Sequence, residues 1–359
     1  MDKRQEFHNN LKQFQDYAYD NEVLPKRYVY VLTNLCNLAC DFCFQDRKKQ
    51  KNAMNKDDWI NLTNQLPEYA RVTLTGGEPL VFKDFKEVFH NVASKFECNM
   101  ICNGILLNEE IIDFMLSYKN FKVLSISIDN VKNTIRKLAN KNNSKWDEEW
   151  TNTENMMRYF QKRKKELNSE CVLDSKTVVL DINADDLFDI HKYCIEELLC
   201  DTHGFQFLKG SPIQHADLMF DYDEIFKKSF AVTYKNWNQI INNLKKVREY
   251  NYANKKLGFL HPNFADLNTL DNELNIDFIN ETEHKFENFK PCKAPWSSVH
   301  INVDGSLFPC LALKMGNVKD QQLEEIIYGK EFKKFKNTIR EKGTVEACNR
   351  CGWLQNNEC

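Results

Sequence analysis

Six short runs rich in β-branched and aliphatic residues take turns with stretches of helical apolar spacing over the first two thirds of the chain. The runs are Arg27–Thr33, Arg71–Thr75, Glu97–Cys102, Lys122–Ile128, Lys176–Leu180 and Gly204–Leu208. Between them lie Lys56–Leu66, Asp84–Phe96, Asn108–Tyr118, Asp147–Leu167 and Asp185–Leu199, whose apolar residues follow the helical period. Strand and helix alternating this often predict parallel β/α units. The strands alternate only weakly between apolar and polar, as expected where helices cover the sheet. The expectation is an α/β fold: a partial, TIM-like (β/α)6 barrel over residues 27–215, behind an N-terminal extension, 1–26. In barrels of this kind the chemistry gathers at the C-terminal ends of the strands.

Those ends carry the informative residues. After the first strand comes CNLACDFCF, which spaces Cys36, Cys40 and Cys43 as C-x3-C-x2-C. Three thiolates this close can grip three corners of a four-iron cluster and leave the fourth iron without a protein ligand. An open position of that kind does chemistry, whereas a structural metal site closes all its positions. The rival readings are a zinc loop or three buried thiols. The second strand runs into Gly76, Gly77, Glu78 and Pro79, two glycines that let a backbone approach a ligand closely, then a carboxylate and a stiff exit. The third ends at Asn103-Gly104. The fourth ends in Ser127-Ile128-Asp129, where Ser127 and Asp129 point the same way because side chains alternate along a strand. A hydroxyl beside a carboxylate suits the vicinal hydroxyls of a ribose.

Composition narrows the class. With 42% hydrophobic and 28% charged residues the chain reads as a globular protein, and a net charge of −3 implies neither nucleic acid nor an acidic membrane surface as partner. No apolar run reaches the ~20 residues of a membrane helix. Thirteen cysteines without a secretion signal point away from a disulfide framework and toward metal or redox use in the cytoplasm.

A second cysteine group follows a polar stretch, 216–290, expected as a helical connector patterned over Tyr222–Tyr250. In 291–359, expected as a second, small domain, twelve residues separate Cys292 from Gly305 and four more separate Gly305 from Cys310, while Cys348 and Cys351 form CNRC. The Asp304-Gly305 pair reads as a hairpin turn. Four such thiolates can close a second cluster or hold zinc. Cys98, Cys102, Cys171, Cys194 and Cys200 read as small buried hydrophobes.

C-x3-C-x2-C, GGEP and S-x-D at successive strand ends resemble the radical S-adenosylmethionine (radical SAM) enzymes, over residues 27–215. Phe42, between the second and third cysteines, fits the same habit. The resemblance implies that Cys36, Cys40 and Cys43 hold a [4Fe-4S] cluster whose open iron binds S-adenosylmethionine. It implies that Gly76, Gly77 and Glu78, in the turn with Pro79 and near Asn103, meet the cofactor's methionine amino group, and Ser127 and Asp129 its ribose. In the family, one electron from the cluster cleaves the sulfonium to a 5′-deoxyadenosyl radical that abstracts a substrate hydrogen atom. The later cysteines resemble the SPASM/twitch extension of these enzymes. Cys292, Cys310, Cys348 and Cys351 would close an auxiliary [4Fe-4S] cluster in the shorter, twitch manner, with Cys359 open as a substitute ligand.

Relatives of this type often act as maturases on ribosomally made peptides, which is the expected role. About 26 residues before the barrel are few for the leader-binding domain that many maturases carry. One alternative is radical oxidation or epimerisation of a small metabolite such as a sugar or aminocyclitol, and a remoter one is a non-enzymatic, zinc-stabilised binding module. An electron donor such as flavodoxin or ferredoxin is implied, and Arg47, Lys48, Lys49 and Lys51 after the cysteine loop are a basic surface on which it could dock.

Overall fold

The computed structural model describes residues 3–43, 50–138, 143–208, 231–262, 266–271, 273–310 and 313–357. Arg47, Lys48, Lys49, Cys359 and the first part of the connector, through residue 230, lie outside the described residues.

The strands β1 (Arg27–Val31), β2 (Arg71–Thr75), β3 (Glu97–Cys102), β4 (Phe121–Ser127), β5 (Val172–Val179) and β6 (Thr202–Phe207) pair in parallel, each with the next in sequence. The helices between them include α2 (Lys56–Thr63), α3 (Phe85–Ala93), α4 (Glu109–Leu116), α5 (Thr134–Leu138), α6 (Trp146–Glu166) and α7 (Leu187–Lys192), following α1 (Lys3–Asn21). Local chemistry fixes several starts. Asn55 caps α2 in a reciprocal box with Asp58, and Asn108 caps α4 through Ile111 N–H. Apolar faces then close on the sheet, as where Trp59 of α2 meets Tyr30 of β1 at 4.9 Å.

Two expectations are corrected. The connector is not purely helical: after α8 (Trp237–Asn254), β7 (Gly258–His261) adds a parallel strand beside β6. Its sequence, flanked by asparagines, lacks an obvious strand signal because its outer edge is satisfied by side chains. Asn268 accepts from the Gly258 N–H and donates to the Gly258 carbonyl, which blunts the exposed edge. Nor does the C-terminal region stand apart from the barrel. After the one-turn α9 (Ala294–Ser297), β8 (Ser298–Ile301) pairs in parallel with β1, and β9 (Ser306–Phe308) and β10 (Gly316–Asn317) continue in antiparallel fashion. One ten-stranded sheet results, in the order β10-β9-β8-β1-β2-β3-β4-β5-β6-β7. The expected hairpin turn is present, with Gly305 at φ +84°.

The sheet curls. Gly352 lies beside Gln206 of β6 and His261 of β7, while the ring of its neighbour Trp353 lies 5.7 Å from the guanidinium of Arg27 on β1. In a flat sheet β1 and β6 stand five strand spacings apart, about 24 Å. Adjacent residues touch both only if the sheet bends round into a partial barrel, and the segment Asn349–Trp353 fills its open side. Arg350 reinforces this closure by donating to the carbonyls of Ile279 and Leu208.

The N-terminal extension is ordered against the other end of the chain. Glu22 accepts from Trp296 of α9 and from Lys336 and Arg340 of α11 (Lys330–Lys342), which follows α10 (Leu323–Ile327).

Candidate active site

Leaving β1, the chain stays hydrogen-bonded to the end of β2: Gly77 N–H donates to the Thr33 carbonyl (2.6 Å) and Glu78 N–H to the Leu35 carbonyl (2.9 Å). Here the glycines are needed for a reason the sequence did not disclose. A Cβ on Gly76 would lie 2.5 Å from Thr33 O and one on Gly77 2.3 Å from Leu35 O, so both glycines let two backbones touch and seat the cysteine loop. Pro79 opens a 3₁₀ turn capped by the carboxylate of Glu78.

Glu78 is fully buried. One carboxylate oxygen accepts from Leu80 N–H (3.2 Å) and the other from Asn103 N–H (2.7 Å). Burial raises its carboxyl to about 7, opposed by those hydrogen bonds and by Arg136. A cationic group brought to this carboxylate would draw it into the ionised form. The Asn103 amide donates to Asn37 Oδ1 at 2.8 Å and to Cys36 Sγ at 3.7 Å. Thus the ends of β2 and β3 are wired to the first cysteine. Burial pushes the Cys36 thiol up to about 11, so it must lose a proton to serve as a ligand.

The other half of the site hangs on Asp129, also fully buried. Its carboxylate accepts from Val178 N–H at 2.9 Å and from Arg136 Nε at 2.5 Å. An ionised carboxylate has about four lone-pair sites, so two protein donors leave capacity for hydroxyls. Asn133 accepts from Asp129 N–H and donates to the Ser127 carbonyl, and Asn183 donates to the Asp129 carbonyl. Arg136 also points Nη1 at Cys40 Sγ (3.7 Å) and lies over the ring of Phe42 (5.5 Å). The strand-end residues therefore form two chains of contact, Glu78–Asn103–Cys36 and Asp129–Arg136–Cys40, meeting on one loop. Sequence reasoning missed Arg136, Asn133 and Asn183. The asparagine-rich NVKN after β4 was the available signal, since Asn tolerates the positive φ that Asn133 adopts (+50°).

The later cysteines sit differently. Cys348 and Cys351 share a tight turn, Cys351 N–H donating to the Cys348 carbonyl and Val345 N–H to Cys348 Sγ. Cys292 is anchored through its N–H to the Gly343 carbonyl; burial, with Cys351 nearby, pushes its thiol up to about 12. Cys310 follows β9 and is buried. Cys98, Cys102, Cys171, Cys194 and Cys200 are buried, as expected.

Among the described residues no three His, Cys, Asp or Glu side chains converge tightly enough for a single ion. Zinc draws its thiolates to about 2.3 Å, whereas the thiolates of a cubane each hold a separate iron. The donor set of soft thiolates, spread along one loop and then along three segments, fits clusters. An open groove beside α11, lined by Tyr328, Lys330, Lys333 and neighbouring residues, contains none of the motif residues. No described helix is long and apolar enough to cross a membrane.

A family model described as the radical SAM superfamily matches residues 30–192, and one described as an iron–sulfur cluster-binding domain, SPASM, matches 292–352. The chain carries a radical SAM domain over residues 30–192 and a C-terminal SPASM domain over residues 292–352. Its cofactors are S-adenosylmethionine and two iron–sulfur clusters. The sporulation killing factor maturation protein SkfB of Bacillus subtilis is 35% identical over 115 residues, 31% of this chain and 28% of that protein. The match therefore spans under a third of SkfB. A GTP 3′,8-cyclase of Aquifex aeolicus is 25% identical over 80% of this chain and 82% of its own. Among solved structures, SuiB of Streptococcus suis bound to S-adenosylmethionine superposes with a TM-score of 0.60 at 16% identity, over 92% of this chain and 72% of that one. The same protein bound to precursor peptide SuiA gives 0.56 at 16% identity, over 86% and 65%. At this identity the likeness is one of fold.

Proposed function

We propose that this radical SAM enzyme modifies a ribosomally made peptide. In this reading Cys36, Cys40 and Cys43 hold the first cluster. Glu78 with Gly76 and Gly77, beside Pro79 and Asn103, receives the amino group of S-adenosylmethionine, and Ser127 and Asp129 receive its ribose. Cys292, Cys310, Cys348 and Cys351 close the auxiliary cluster, and an external donor such as flavodoxin or ferredoxin supplies electrons. The observation that carries the assignment is the joining of three strand ends to one cysteine loop, through Asn103 to Cys36 and through Arg136 to Cys40. When bound, the first cluster and S-adenosylmethionine together supply a carbon-centred radical able to take a hydrogen atom.

The chain's own residues hold the parts in place. Glu78 presents a buried carboxylate to a cation, Asp129 a braced carboxylate to hydroxyls, and the glycine pair fixes the loop between them. The peptide substrate is supported by the likeness to SkfB and by the fold shared with SuiB. The test is anaerobic reconstitution followed by incubation with short peptides encoded beside this gene, read by mass spectrometry. A cofactor-dependent mass change on a peptide supports the reading. Turnover of a nucleotide or sugar, with no peptide altered, would replace it.

A further inference from the structure

One residue joins the two halves of the site. Arg136 is 96 residues from Cys40 in sequence, yet its Nη1 lies 3.7 Å from Cys40 Sγ while its Nε lies 2.5 Å from Asp129 Oδ2. The guanidinium carbon lies over the ring of Phe42, between the second and third cysteines, 5.5 Å from its centroid. Its side chain is only 12% exposed, and that of Asp129 is not exposed at all. The entry to α5 is held by Asn130, whose carboxamide accepts from Ile135 N–H, and by Asn133. We propose that Arg136 is a positioning residue that couples the ribose-binding carboxylate to the first cluster, so that one side chain sets both S-adenosylmethionine affinity and cluster reduction potential.

This rests on the assignment of Cys40 and Asp129 under the proposed function. Its physical content is separate. A guanidinium presents five N–H donors in a rigid fork and a flat face for an aromatic ring, so it can serve a carboxylate, a sulfur and Phe42 together. An ammonium is a point charge that can serve one of these well. Hydrogen bonds to cluster sulfurs are one of the levers that set reduction potential, and a positive charge beside the sulfur favours the reduced state. The same fork holds the Asp129 carboxylate in its orientation. Without it a buried carboxylate keeps one backbone donor, Val178, and loses its counter-charge.

The experiment compares full-length, anaerobically reconstituted wild type, R136Q and R136K. Potentiometric titration followed by electron paramagnetic resonance gives the potential of each cluster, equilibrium dialysis gives the affinity for S-adenosylmethionine, and iron is counted. In R136Q iron should hold at about eight per chain, and the first cluster's potential should move negative while the second stays in place. Affinity should fall about tenfold. R136K should recover part of the potential, because the charge returns, and little of the affinity, because the fork does not. The proposal is overturned if R136Q leaves the first cluster's potential and the affinity at wild-type values, or if both clusters shift equally. Loss of the first cluster in both variants would also overturn it, assigning Arg136 to folding of the cysteine loop. Failure of the underlying assignment looks different: the Cys36/Cys40/Cys43→Ala protein would then keep as much iron as wild type.

Discussion

The two cysteine sets of this chain differ in how they are built into the fold. Cys36, Cys40 and Cys43 occupy one loop, and two of the three are partly exposed. That loop is seated by backbone contacts to Gly77 and Glu78 and by polar contacts from Asn103 and Arg136. Cys292, Cys310, Cys348 and Cys351 come from three separate segments, and the last two belong to the turn that leads into the closure of the open barrel. Local and polar, the first set can be altered without unmaking the core. The second is part of what closes it. Under the proposed assignment the fold would separate a site for chemistry from a site that is also a staple.

The largest effect sharpens that contrast. Replacing Cys36, Cys40 and Cys43 by Ala together should abolish S-adenosylmethionine cleavage and halve the iron, from about eight to about four per chain. The unfolding temperature should stay near that of wild type, since the loop's backbone contacts remain. A large drop in thermal stability would break the comparison. Stoichiometric zinc with almost no iron in anaerobic wild type would break the whole assignment.

Cys351→Ala should act the other way round. Cluster binding and folding are linked, so losing one ligand should cost the auxiliary cluster and loosen the C-terminal segment against Gln206, His261 and Arg27. Thermal unfolding should show an earlier transition, and limited proteolysis should cut near the C-terminal cysteines. Cleavage of S-adenosylmethionine should persist while substrate turnover falls. A variant as stable as wild type would show that the turn closes the barrel without its cluster.

Asp129→Ala is a smaller change within the first region. Charge-assisted hydrogen bonds from hydroxyls to a carboxylate contribute roughly 1.5–3 kcal/mol, or about 10–100-fold in affinity. Equilibrium binding should show that loss with iron content unchanged. Unaltered affinity would move the ribose site away from β4.

Much of the first region was legible because its signals are local. Strand and helix periods located β1 to β6 and α2, α3, α4 and α6 to within a few residues, but not the short α5, and the strand-end motifs fell where the parallel topology gathers them. What stayed hidden depends on distant partners. β7 is four residues long and owes its edge to Asn268, ten positions away. The junction of β8 with β1 joins residues some 270 apart, and nothing in either strand encodes the choice. Arg136 lies outside every expected helix and motif, because its meaning comes from Asp129 and Cys40. The glycine pair was noticed for ligand approach, while its tightest contacts are with Thr33 and Leu35.

The smallest expected effect bears on how the staple is completed. A cubane offers four corners: under the proposed assignment Cys292, Cys310, Cys348 and Cys351 would fill all four, whereas the first set would supply three and leave one open. A fully ligated auxiliary cluster has no iron free to polarise a substrate, so it acts through electron transfer and by shaping the pocket. Cys359 lies outside the described residues, and the SPASM match ends at residue 352, before it. Cys359→Ala should therefore leave the iron count, the electronic spectrum and the unfolding temperature at wild-type values. Measured beside Cys351→Ala, the two variants bracket the assignment: one should lose a cluster and the other should not. A Cys359→Ala protein that falls to one cluster, while Cys351→Ala keeps two, would transfer the fourth corner to Cys359 and detach the auxiliary cluster from the turn that closes the barrel.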